Sequence, residues 1–255
     1  MGWRDSFDVV HTTEELLAAV QGSPDAVAVH DRVAWVELYA RGGIVNDPVG
    51  SRPHQGKDAI ERFYDTFIAP NTINFHVEHD MVSGMSVVRD LSLETIMSTG
   101  ATLNVPMHLR YDLVDEDGQL KIARLAAHWE LATMIGQLLR AGISGLVASA
   151  KLTPQLLGNQ GIGGAIGFLG GLRGVGRRGK KAASDVLNAA SRGDSLPVQV
   201  DSALKGATFR KFLASGRTVS ATAEFESGRG VVFVDFSPAS LEVASVTVFS
   251  NRPDT

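Results

Sequence analysis

Residues 44–70, IVNDPVGSRPHQGKDAIERFYDTFIAP, hold a strand end, a turn and an amphipathic helix in one run. Ile44, Val45 and Asn46 read as a short β-branched strand that stops at Asp47–Pro48, because proline has no amide hydrogen for a sheet ladder and restricts the residue before it. Gly50, Pro53 and Gly56 then punctuate a turn. From Lys57 the period becomes helical: Ile60, Phe63, Tyr64 and Phe67 fall at i, i+3, i+4 and i+7, with Asp58 and Glu61 near the end of the helix whose dipole favours negative charge. Asp47 is thereby held between a strand and a helix with an aromatic face.

Two readings of Asp47 follow. An aspartate among apolar and aromatic side chains is poorly solvated, which raises its pKa and makes it a usable base. The other reading is a turn aspartate that caps its own loop. The surrounding pattern bears on the choice. A helix ending in Leu38-Tyr39-Ala40, a strand, Asp47-Pro48-Val49-Gly50, then Gly56 and a helix with Phe63-Tyr64 resembles, in order and spacing, the bacterial Δ5-3-ketosteroid isomerases of the NTF2-like (SnoaL-like) superfamily. The resemblance covers roughly the first 130 residues and is densest between Asp31 and Pro70. It implies a cone of curved antiparallel sheet and packed helices around an apolar pocket, no cofactor, and Asp47 as general base.

The same resemblance exposes two departures. The strand Leu103–Asp112 is similar to the one that carries the family's oxyanion aspartic acid, and an ungapped match puts Met107 in that place; a shift of one residue puts His108 there. Methionine donates no hydrogen bond, whereas histidine can. The place of the family's oxyanion tyrosine falls at Ser23. The expected catalytic set is therefore Asp47 with Tyr64 or His108 as donor. Tyr39, Phe63, Phe67, Met107, Leu109, Tyr111 and Trp129 are expected to contact substrate. Along the Pro106–Tyr111 strand, period two puts Met107, Leu109 and Tyr111 on one face and His108 and Arg110 on the other.

Outward from this core, Thr12 and Glu15 form a capping box for a first helix, and Ser23-Pro24-Asp25 reads as the start of a second, with Val29, Val33 and Val36 as its buried stripe. After the organising helix come four strand runs, Ile73–Val82, Met85–Met97, Ala101–Leu113 and Leu120–Trp129, separated by turn signals. Helices followed by an antiparallel meander make an α+β order.

Composition sets the outer bounds. The 255 residues are 44% hydrophobic and 20% charged, without cysteine, so disulfides and thiolate metal sites are excluded. The N-terminus lacks the apolar core of a signal peptide, which predicts a cytoplasmic location. His76, Glu78 and His79 do not share one strand face, so no metal site is expected. The net charge of −4 hides an asymmetry: residues 1–139 are strongly acidic, while residues 140–217 carry 12 basic against 3 acidic side chains. Docking of the basic segment onto the acidic domain is the simplest consequence. Residues 140–205 hold one aromatic, Phe168, and so offer no stacking platform for nucleic acid.

The uncharged run Leu152–Leu172 is as long as a membrane span, but its proline, amides and glycines make a poor one. A Gly-rich lid or interdomain segment over the pocket is expected, with peripheral membrane contact through Leu152–Lys181 as the alternative. A helix over Lys181–Asp194, a Val198–Leu204 segment and strand-like runs at Thr218–Phe225, Gly230–Phe236 and Leu241–Phe249 resemble a second, degenerate copy of the fold. The expected organisation is 1–135 as the isomerase-like domain, 136–180 as linker or lid, and 181–255 as a second domain that covers the first one's sheet, an internal pseudo-dimer; homodimerisation is the other way to cover it. The expected function is double-bond isomerisation of a flat apolar, steroid-like ketone. The alternatives are a non-catalytic binder of sterols or other apolar molecules, and a dehydratase or cyclase using Asp47 with His108.

Overall fold

The computed structural model describes residues 11–140, 158, 161, 163–164, 166–196, 198–199, 202–226 and 228–251. Helix α1 (Thr13–Ala28) opens with the expected capping box: Thr12 accepts from the Glu15 amide and the Glu15 carboxylate accepts from the Thr12 amide. It runs straight through Pro24 rather than restarting there. One lost ladder bond is tolerated because Ser23, Pro24, Ala26 and Val27 are all buried. The break comes instead at His30, with φ 54°, and Asp31, whose side chain accepts from the Ala34 amide to begin α2 (Arg32–Glu37). Val29 and Val33 are consequently exposed at 73% and 61%, and only Val36 of the expected stripe is buried.

Strands β1 (Tyr39–Asn46), β2 (His54–Gln55), β3 (Asn71–Ser83), β4 (Ser86–Met97), β5 (Thr102–Glu116) and β6 (Gln119–His128) form one sheet in the order β2-β1-β6-β5-β4-β3. Only the β1–β6 pairing is parallel. Register shifts interrupt β3–β4 at Val77/His79 and β5–β6 at Asp112/Leu113, the kind of irregularity that bends a strand and lets a sheet wrap around a cavity. Helix α3 (Lys57–Phe63), continued by one π-helical turn at Tyr64–Ile68, lies across the concave side with α1 and α2. Helix α4 (Leu131–Arg140) follows β6, and its Gln137 side chain bonds both the amide and the carbonyl of Asn104 on β5. The expected domain boundary at residue 135 falls inside this helix, although Leu131, Met134, Ile135 and Leu138 carry a helical period.

The second unit is helix α5 (Gly176–Arg192) packed on a four-stranded antiparallel meander, β7 (Thr208–Ser215), β8 (Thr218–Phe225), β9 (Gly228–Phe236) and β10 (Val243–Ser250). Its first strand escapes a sequence reading because Arg210 and Lys211 interrupt the apolar pattern. A register shift between Arg210 and Leu213, with Lys211 at φ 52°, accounts for them. Residues 202–204, inside the Val198–Leu204 segment, form a short 3-10 turn.

Alternation along this meander serves two partners. Val219, Ala221, Ala223, Val232 and Val234 face α5, while Val231, Phe233 and Phe249 pack with Met81 and Val88 on the convex face of the first sheet. The charge asymmetry is expressed at the same contact and beside it: Lys211 Nζ lies 2.5 Å from Asp90 Oδ1, and Lys180 Nζ lies 2.7 Å from Glu130 Oε1. Among the described residues no helix is long and apolar enough to cross a membrane. Within Leu152–Lys181, residues 152–157, 159–160, 162 and 165 fall outside the described residues; within the described part, Ile166, Leu169 and Leu172 are exposed and Phe168 is buried.

Candidate active site

The loop after β1 is pinned on both sides. Val49 donates its amide to Ala127 O over 2.9 Å, and the Ser51 amide and hydroxyl both donate to Pro48 O, at 3.0 and 2.6 Å. The Asp47–Pro48 peptide is cis. These contacts fix Asp47 at the wall of a cavity of about 150 Å³ inside the cone. Asp47 is partly accessible as a residue and lines that wall. Burial pushes its pKa up to about 6, against the opposing pull of the Trp129 indole N–H, which donates to Asp47 Oδ1 at 2.6 Å.

One wall is aromatic: Trp35 stacks on Phe63, Phe63 leans on Phe67, and Phe67 stacks on Phe168 with ring centres 5.1 Å apart. The opposite wall is the concave face of β5, with Leu103, Val105, Met107, Leu109 and Tyr111 in alternate positions. Met134 and Leu138 of α4 close one side. Ser23 of α1 also lines the cavity, and its hydroxyl accepts from Trp35 Nε1 at 3.1 Å. Among the described residues no three His, Asp or Glu side chains stand close enough together to hold a metal ion.

Of the residues singled out from sequence, Asp47, Phe63, Phe67, Met107, Leu109, Tyr111 and Trp129 line this cavity. Three do not, and the expectations for them are corrected. His108 points to the convex side of β5, where Nδ1 lies 2.7 Å from Ser220 Oγ and Nε2 lies 3.1 Å from Thr222 Oγ1 of the second sheet. Period two puts it opposite Met107; only a shifted register would bring it inside, and the shift does not occur. Burial, followed by the nearby Lys211 and Arg210 charges, pushes its pKa well below the usual histidine value, so it is held neutral. It cannot pair with Asp47 as an acid, and the dehydratase or cyclase scheme that needs that pair loses its second group.

Tyr64 packs its ring on Trp35 and is fully buried, but it does not line the cavity. The charges that act on its hydroxyl are those of Asp31, Asp65 and Arg32 at the α2–α3 seam. Tyr39 also packs on Trp35, with ring centres 4.9 Å apart, and likewise stays out of the cavity wall.

Sequence reasoning misses Ser23 as a lining residue in its own right, along with Trp35, the α4 residues and the concave positions of β4 such as Leu93 and Thr95. The alternation of β4 carries that last signal. Nothing in the sequence around Phe168 says which surface it meets.

Residues 20–125 match the family described as SnoaL-like domain. No curated protein matches the chain significantly. Among solved structures, a Δ5-3-ketosteroid isomerase from Mycobacterium sp. is 31% identical, with a TM-score of 0.43 over 46% of this chain and 95% of that one. A Mycobacterium tuberculosis protein solved in complex with estradiol-17β-hemisuccinate is 28% identical, with a TM-score of 0.42 over 46% and 95%. An epoxide hydrolase from Mycobacterium tuberculosis is 17% identical, with a TM-score of 0.43 over 54% and 96%.

Proposed function

With residues 20–125 forming a SnoaL-like domain of the NTF2-like fold, we propose that the chain is a cofactor-independent isomerase that moves a double bond in a flat apolar ketone by proton transfer. The observation that carries this reading is Asp47 itself: a carboxylate with a pKa of about 6 in the wall of a mostly apolar and aromatic cavity. Such a group is largely ionised near neutral pH and basic enough to take a proton from carbon next to a carbonyl. It removes the α proton, the electron pair moves into a dienolate, and the same carboxyl returns the proton to the γ carbon. Trp129 holds the Asp47 side chain by the oxygen it donates to, which leaves the other oxygen for the proton.

The cavity bears on the substrate. Typical ligand clefts enclose roughly 300–1,000 Å³, and the cavity beside Asp47 has a volume of about 150 Å³. That is room for the ring bearing the carbonyl.

A second reading, binding without chemistry, is favoured by one observation: the two places where the resemblance puts oxyanion donors are held by Ser23, a short hydroxyl set between Trp35 and Tyr111, and by Met107, which has no donor. Conversion of 5-androstene-3,17-dione to its conjugated isomer, followed by ultraviolet absorbance, separates the two. Turnover that is lost in Asp47→Asn supports the isomerase. Binding of the steroid with no turnover in either protein supports the binder.

A further inference from the structure

The isomerase reading needs a hydrogen-bond donor for the oxygen that becomes negative, and neither Tyr64 nor His108 reaches the cavity. The hydroxyls of Tyr39, Tyr64 and Tyr111 are buried with no hydrogen-bond partner within 3.5 Å; the Ser23 hydroxyl is nevertheless near enough to Tyr111 to act on it. A buried hydroxyl without a well-placed partner is costly, so each one asks what it is for. Only Tyr111 lines the cavity.

We propose that Tyr111 donates its hydroxyl hydrogen bond to the carbonyl oxygen of the substrate, in place of the tyrosine and aspartic acid whose places the resemblance puts at Ser23 and Met107. Its position follows from the sheet. Tyr111 sits on the concave face of β5 two residues after Leu109 and is paired with Leu125 of β6, itself in the cavity wall. Asp47 leaves β1 two residues beyond Val45, which is the partner of Leu125 on its other side. Base and phenol therefore belong to neighbouring rows of one concave surface. Burial raises the Tyr111 pKa, Arg89 and the Ser23 hydroxyl pull it down, and the charges of Asp80 and Asp47 add to the rise. The phenol stays protonated at neutral pH, which is the state that donates.

In the reaction Tyr111 breaks no bond. Its O–H points to the carbonyl oxygen, and the interaction strengthens as Asp47 takes the α proton and the electron pair shifts onto that oxygen. A donor used this way is worth about 100- to 1,000-fold in rate.

This inference rests on the isomerase reading for its rate effect, and the test keeps the two apart. Wild type, Tyr111→Phe, Tyr64→Phe and Asp47→Asn are compared in two measurements: turnover of 5-androstene-3,17-dione, and the absorbance shift of the conjugated product 4-androstene-3,17-dione on binding, which reports a hydrogen bond to its carbonyl. Tyr111→Phe is expected to lower kcat about 100- to 1,000-fold and to abolish the shift. Tyr64→Phe, whose hydroxyl lies outside the cavity wall, is expected to keep both turnover and the shift, which separates a donor to the ligand from a buried structural tyrosine. If no protein turns over but wild type gives the shift and Tyr111→Phe does not, the donor stands and the isomerase falls. If turnover is lost in Asp47→Asn yet kept in Tyr111→Phe, or is lost in Tyr64→Phe instead, the donor is overturned and the isomerase stands. Absence of any shift in wild type also overturns the donor.

Discussion

Trp129 donates its indole hydrogen to Asp47 Oδ1 across 2.6 Å, joining the end of β6 to the end of β1 at the cavity wall. This bond and burial act on the carboxyl in opposite directions: burial raises its pKa and is the larger effect, while the indole lowers it.

The first prediction concerns the pH profile. Asp47 must be ionised to act as base, so kcat/KM is expected to rise with pH through a midpoint near 6 and then level. Trp129→Phe removes the hydrogen bond that stabilises the carboxylate and moves that midpoint upward. The variant therefore loses more activity at pH 6 than at pH 8. A profile with the same midpoint in both proteins would show that a different group supplies the base.

Asp47 also lowers stability in a pH-dependent way. Its folded pKa of about 6 lies above the ordinary 3.8, so the folded state holds the proton over a window in which the unfolded state has released it. Stability falls as pH rises through that window, and the cost is complete above it. The shift corresponds to roughly 3 kcal/mol at most, and about 1–2 kcal/mol after allowance for the partial accessibility of the side chain. Asp47→Asn is expected to melt higher than wild type at pH 8, with the difference closing toward pH 4. A constant or reversed difference would mean that the carboxylate is well solvated.

The second unit reaches the site through one turn. Ser215 Oγ lies 2.8 Å from Val49 O and 3.1 Å from Trp129 O, with one hydrogen to share between carbonyls flanking the base and its indole partner. Next to it, Gly216 (φ 56°) and Gly50 (φ 96°) meet so closely that a Cβ on Gly216 would stand 2.7 Å from Gly50 Cα. Gly216→Ala is expected to push the Asp47 loop and to lower both melting temperature and kcat. Ser215→Ala, which orphans buried carbonyls, is expected to cost about 1–3 kcal/mol in a denaturant titration. Unchanged turnover in Gly216→Ala would separate this contact from the site.

The legible part of this fold is the part governed by local chemistry. Pro48, the Thr12–Glu15 box and the alternation of β4, β5 and β6 each act within a few residues, and the elements they announce are present. Asp47 is readable because a strand end, a proline and an aromatic helix converge on it in sequence. The unreadable part depends on contacts between distant segments. His108 looks like a solvent-facing or catalytic histidine until the second sheet covers it; Phe168 sits in a glycine-rich run with no period, and its partner Phe67 is 101 residues away. Strand β7 is hidden because Arg210 and Lys211 break its alternation for the sake of ion pairs with the first unit.

Those pairs give the last prediction. Asp90 is 1% exposed and accepts from Lys211 Nζ at 2.5 Å and from Thr222 Oγ1 at 2.6 Å, with His108 beside it. Lys211 also donates to Leu91 O at 2.6 Å, so one ammonium ties β7 to β4. Desolvation makes such a pair a weak source of net stability, but removing one partner strands a buried charge and costs about 3–5 kcal/mol. Lys211→Met is expected to fall in that range by denaturant titration, and Lys211→Met with Asp90→Leu to recover part of the loss. The recovery is the informative arm: additive losses in the double variant would mean that Lys211 and Asp90 act separately, and that the two sheets are held by Phe233, Phe249 and their apolar neighbours alone.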